Sequence, residues 1–125
     1  MCKVLLSINP EHVENILNGT KRVEFRKVRC RNNVSKIVIY STSPKSCVVA
    51  EVEVVGIIED NVDVVWELTQ EAAGITRSFF ESYFEGKEKV IAYQLGEVTE
   101  FDEPKPLKDF GLRCAPQSFA YVTTA

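Results

Sequence analysis

The run Cys47-Val48-Val49-Ala50-Glu51-Val52-Glu53-Val54-Val55-Gly56-Ile57-Ile58 constrains this chain more than any other stretch. β-branched side chains lose rotamer freedom in a helix and pack well on a pleated surface, so the run reads as a strand. Val48, Ala50, Val52 and Val54 alternate with Val49, Glu51, Glu53 and Val55. That period of two puts one set on a buried face. The run is much longer than an ordinary strand, so it must bend, and Gly56 is the candidate kink. The fold is therefore expected to be built around a strongly curved sheet.

The rest of the chain supplies the other parts. Val4–Ile8, Arg22–Lys27, Lys36–Tyr40, Val90–Leu95, Val98–Phe101 and Ser118–Val122 read as further strands. Asn9 caps a helix that begins at Pro10, carries Val13, Ile16 and Leu17 on one face and closes at Asn18-Gly19. Asp60 or Asn61 caps a second helix with Val62, Val65, Trp66 and Thr69 on its face and Gly74 as its stop. Thr76 caps a third, whose Phe79, Phe80, Tyr83 and Phe84 are expected to point inward, with Gly86 ending it. Pro104–Gly111 reads as a tethered loop. Phe25, Val52, Val54, Trp66, Phe79, Phe80, Phe84, Ile91 and Tyr93 are the expected core. Strands do not alternate one-for-one with helices, which argues against a doubly wound parallel sheet. The expected class is α+β: a small bent β-barrel of five to seven mostly antiparallel strands with flanking helices, as one domain over residues 1–125.

Several function classes drop out. No run of about 18 apolar residues exists, so no membrane helix is expected. The N-terminus has no signal-peptide architecture, and the expected location is cytoplasmic. Cys2, Cys30, Cys47 and Cys114 form no Cys-x-x-Cys pair, and His12 is the only histidine. No metal site or cofactor is expected, and nothing in the sequence around His12 supports a Ser–His–Asp triad. No Gly-rich phosphate loop occurs.

The net charge of −3 hides a segregation. Residues 21–36 hold seven basic residues against Glu24 alone, a net +6, while the remainder carries eight basic and seventeen acidic residues. An acidic chain with one basic stripe suits local binding of an anion. Within the stripe, Gly19-Thr20-Lys21-Arg22-Val23-Glu24-Phe25-Arg26 runs from a helix stop into a strand. Glu24 and Arg26 share a strand face, and Lys21 at the turn can reach the same side. Arg26 offers a planar fork to phosphate or a carbonyl edge, and Glu24 can accept from an amino group or pair with Arg26. Lys21, crowded by Arg22 and Arg26, is a candidate nucleophile or base, though Glu24 pulls it toward the ammonium form.

Gly19-x-Lys21-x-x-Glu24-x-Arg26 resembles the signature of the ASCH domain, a branch of the PUA-like superfamily. The blocks Leu6–Pro10, Ile39–Pro44, Phe84–Lys87 and Pro116–Phe119 resemble small stand-alone prokaryotic members in the same order. Asn9 stands where lysine is often expected. The resemblance implies a small barrel whose cleft holds RNA or a nucleotide, bordered here by Ser7, Lys21, Glu24, Arg26, Tyr40, Ser41 and Ser43. Tyr40 and Tyr121 are candidates to stack on a base, and Ser118 could line the same cleft. Some ASCH proteins resemble amidohydrolases that deacetylate N4-acetylcytidine, a modified nucleoside. That likeness implies Lys21, Glu24 and Glu71 as catalytic residues, with Glu24 standing at a position occupied by threonine. A nuclease ranks lower.

Overall fold

The long valine-rich run is a strand, and it carries the sheet. The computed structural model describes residues 2–30, 34–117 and 119–122. In chain order these form β1 (Cys2–Ile8), α1 (Pro10–Leu17), β2 (Val23–Arg26), β3 (Val34–Ser41), β4 (Cys47–Asp60), α2 (Val62–Thr69), α3 (Arg77–Tyr83), β5 (Val90–Lys105) and β6 (Phe119–Val122). Short 3₁₀ turns cover Gln70–Ala72 and Leu107–Phe110. The six strands lie in the order β2-β5-β4-β3-β1-β6. β1 and β3 run parallel, with α1 and β2 between them in the chain; the other neighbours are antiparallel. The class is the α+β one expected. The sheet bends like a barrel but stays open, with β2 and β6 as its edges.

The bend has identifiable causes. The β4–β5 register slips around Val54 and Gly56, where the kink was expected. Gly56 sits against Gln94: a Cβ there would meet the Oε1 end of that exposed side chain, which would have to move aside. Val90–Leu95 and Val98–Phe101 are one continuous strand, not two. Gly96, inside it, is a point of close approach, since a Cβ there would fall 2.7 Å from Val55 Cγ1.

Alternation sorts the core into faces. Val4, Leu6 and Ile8 of β1 join Ile37 and Ile39 of β3 beneath Val13 and Ile16 of α1. On the other face, Leu5, Val38, Tyr40 and Val48 meet Phe110 and Val122. A third cluster links β2 to the later helices through Val23, Phe25, Trp66, Phe80 and Phe84. Helix caps are as read: Asn9 accepts from Glu11 N, Asn61 from Val64 N and Thr76 from Phe79 N. Two core expectations need correction. Val54 is only half-buried. Phe79 and Tyr83 are 49% and 41% exposed, because residues four apart share a helix face and only the Phe80/Phe84 face of α3 meets β2. Among the described residues no helix is long and apolar enough to cross a membrane.

Candidate functional site

The turn from α1 into β2 is clamped from three sides. Lys21 N donates to Asn15 O at 2.9 Å, Arg22 N to Ala72 O at 2.8 Å, and Leu95 N to Arg22 O at 3.0 Å. This brings the turn against the segment after α2. Gly74 makes the fit possible: its φ is +68°, and a Cβ there would lie 2.6 Å from Lys21 Cβ. Lys21 is consequently only 3% exposed. Its ammonium donates to Ala73 O at 2.8 Å and stands 4.9 Å from the centre of the Phe25 ring.

β2 then presents Glu24 and Arg26 on one face, as the alternation requires. Arg26 Nη2 and Nε approach Glu24 Oε2 at 2.7 and 3.0 Å, and Nη2 also donates to Ser7 O at 3.0 Å. Ser7 Oγ donates to Pro116 O at 2.8 Å, tying the C-terminal loop to this corner. Arg26 is thus held as a fixed fork at the cleft.

A cleft of about 260 Å³ opens over these groups. Ser7, Lys21, Glu24 and Arg26 line it together with His12, Ile75, Phe79 and Tyr83. Its net charge is positive, and Lys27 adds to this with Nζ 4.3 Å from the centre of the Tyr83 ring. Burial pushes the Lys21 ammonium below its ordinary pKa; Arg26 pushes the same way and Glu24 opposes. Desolvation decides a contest that charge spacing alone leaves open.

The other sequence candidates lie elsewhere. Tyr40 belongs to the core cluster with Phe110 and Val122, because the β3 alternation turns it to the opposite face. Ser41 is fully buried at the end of β3, and Ser43 is exposed in the β3–β4 turn. Tyr121 is on edge strand β6, away from the cleft wall. Ser118 lies outside the described residues. Glu71 is exposed and borders a neighbouring groove that shares His12, Ile75 and Phe79 with the cleft. It is the backbone carbonyl of Ala73, two residues on, that meets Lys21. The +6 stripe is no open patch: Arg26 pairs with Glu24, Arg29 with Glu59 and Lys36 with Glu51.

Sequence reasoning missed His12, Phe79 and Tyr83. His12 stands in the first turn of α1, and its Nδ1 is buried with no hydrogen-bond partner among the described residues. Burial, then the Lys21 charge, push its pKa below 6.5. As the only histidine it gives a single ring resonance, which is expected to titrate below 6.5 in a proton NMR pH series. A midpoint above 6.5 would mean that the ring is solvated or faces Glu24 and Glu11 more closely than Lys21.

The model of the ASCH domain matches residues 6–104. The chain belongs to the ASCH domain family. The crystal structure of ASCH from Zymomonas mobilis superposes with a TM-score of 0.87 at 27% identity, covering 97% of this ASCH chain and 87% of that one. An ASCH domain-containing ribonuclease from Zymomonas mobilis is 30% identical over 94 residues, which is 74% of this chain and 64% of the relative. ATP synthase subunit alpha of Ureaplasma parvum is 28% identical over 95% of this chain, but the match covers only 15% of that protein. The ASCH chain therefore spans under two-thirds of each of these curated relatives.

Proposed function

We propose that this ASCH domain binds RNA or a nucleotide, in the cytoplasm, in the cleft bordered by Ser7, Lys21, Glu24 and Arg26. One observation carries the reading: a fixed guanidinium and a buried ammonium line one cleft together with aromatic rings. Phosphate suits Lys21 and Arg26, and Glu24 can accept from an amino group of the ligand. The likeness to a protein named as a ribonuclease supports RNA as the ligand class. The cleft volume suits one nucleotide unit rather than a duplex.

The test is fluorescence anisotropy with a labelled single-stranded RNA across a salt series. Affinity is expected to fall with a log–log slope of roughly 0.7 per phosphate contacted. Arg26→Ala is expected to weaken binding by about 1–3 kcal/mol, as loss of a charge-assisted contact should. Salt-independent affinity, or an unchanged Arg26→Ala variant, would defeat the reading.

A second reading, hydrolysis, is favoured by the depressed Lys21 pKa, which enriches the neutral amine. On N4-acetylcytidine or a related acylated nucleoside, water would add to the acetyl carbon and the C–N bond would break, releasing acetate and cytidine. Lys21 would activate that water as a base, and Glu24 would carry the proton to the leaving amine. Cytidine release that disappears in Lys21→Ala supports this reading; no release above blank removes it.

A further inference from the structure

Phe79 and Tyr83 are large rings left in solvent on a helix whose opposite face is packed core. Their planes are nearly parallel, at 6° with centroids 6.4 Å apart, so they form an offset stack that stands as one aromatic ledge. The ledge lines the same cleft as Lys21, Glu24 and Arg26. His12 meets Phe79 edge-on at 5.7 Å. Lys27 lies over the face of the Tyr83 ring, 4.3 Å from its centre.

Each part matches one part of an unpaired nucleotide. Every base has a π-face that stacks on an exposed aromatic ring, whatever its identity. A base also has a polar edge, which needs a hydrogen-bonding partner once water is excluded. Its phosphate needs cations near the stacking surface, and Lys21, Arg26 and Lys27 flank it. We propose that Phe79 and Tyr83 form the stacking surface for an unpaired base of single-stranded RNA, with the base's polar edge toward Glu24 and the phosphate toward Lys21 and Arg26. This deepens the nucleotide-binding reading of the same cleft and rests on it. It also sets specificity: a paired base has its faces covered, so duplex is excluded, while base identity is read weakly.

The experiment measures anisotropy of a short, mixed-sequence, labelled single-stranded RNA, with its duplex and with ribose 5-phosphate as competitors. Phe79→Ala and Tyr83→Ala are each expected to lower affinity roughly 5- to 100-fold. Phe79→Tyr retains binding, and Phe79→Leu, which keeps apolar bulk without a ring, does not. Circular dichroism confirms that each variant is folded. Ribose 5-phosphate and duplex are expected to compete poorly. If wild type fails to bind, or Arg26→Ala binds as well as wild type, the reading of the whole cleft falls. If wild type binds and Arg26→Ala weakens it, but the aromatic variants or Phe79→Leu bind as wild type, the stacking surface alone is overturned. Duplex competing as well as the single strand overturns it too.

Discussion

Phe80→Ala is expected to lower the unfolding free energy by about 3–5 kcal/mol, the usual result of emptying a fully buried aromatic site. Phe80 has no exposed surface. Its ring contacts those of Phe25, Trp66 and Phe84 with centroids 4.8, 5.1 and 5.1 Å away. Those partners come from β2, α2 and the C-cap of α3, so the lost ring leaves a gap that no single element can close. Natural domains have only about 5–15 kcal/mol in total, so the loss is a large share. Phe79→Ala, one residue away on the solvent face, is expected to cost less than about 1 kcal/mol. Urea denaturation compares the two, with unchanged slope as the check that only stability has moved. A small loss in Phe80→Ala would contradict the packing of α3 against β2, and with it the position of the ledge.

That pair also marks where the sequence stops being legible. Four aromatics within six positions read as an inward stripe, because each is apolar and helical spacing cannot say how wide the buried face is. The contact partner decides: β2 is short and meets only Phe80 and Phe84. The long β4, the helix caps and the shared face of Glu24 and Arg26 were readable because period and capping chemistry are local. The break read between Leu95 and Val98 was wrong because a glycine that permits close approach, as Gly96 does, looks the same as one that ends a strand. Tyr40 misled because alternation gives two faces without saying which one borders the cleft. His12 was invisible as a site residue because its neighbours Lys21 and Phe79 arrive from other elements. The basic stripe was read correctly as composition, but its partners Glu51 and Glu59 come from β4, across the sheet or loop.

Lys21→Met is expected to separate stability from function. Lys21 is the most buried cation of the cleft, and burial dominates its depressed pKa. An ammonium held out of water with one carbonyl partner and a ring is stabilised incompletely, so an apolar side chain of similar length should fit with little loss. Ala73 O loses its donor, costing about 1 kcal/mol, and relief of the desolvated charge offsets this. The net change in stability is therefore expected within about ±1 kcal/mol. The pH dependence gives the sign. In the window between the depressed folded pKa and the ordinary 10.5, the unfolded chain holds a proton that the folded chain has released. The wild type should therefore gain stability as pH rises through that window, and Lys21→Met should lack this increment. Binding should move the other way, with RNA affinity falling about 10- to 100-fold for loss of one charge-assisted phosphate contact. The measurements are denaturation of both proteins at a series of alkaline pH values, and anisotropy at neutral pH. A variant that unfolds would make Lys21 a structural cation; one that binds RNA as tightly as wild type would remove the ammonium from the ligand site.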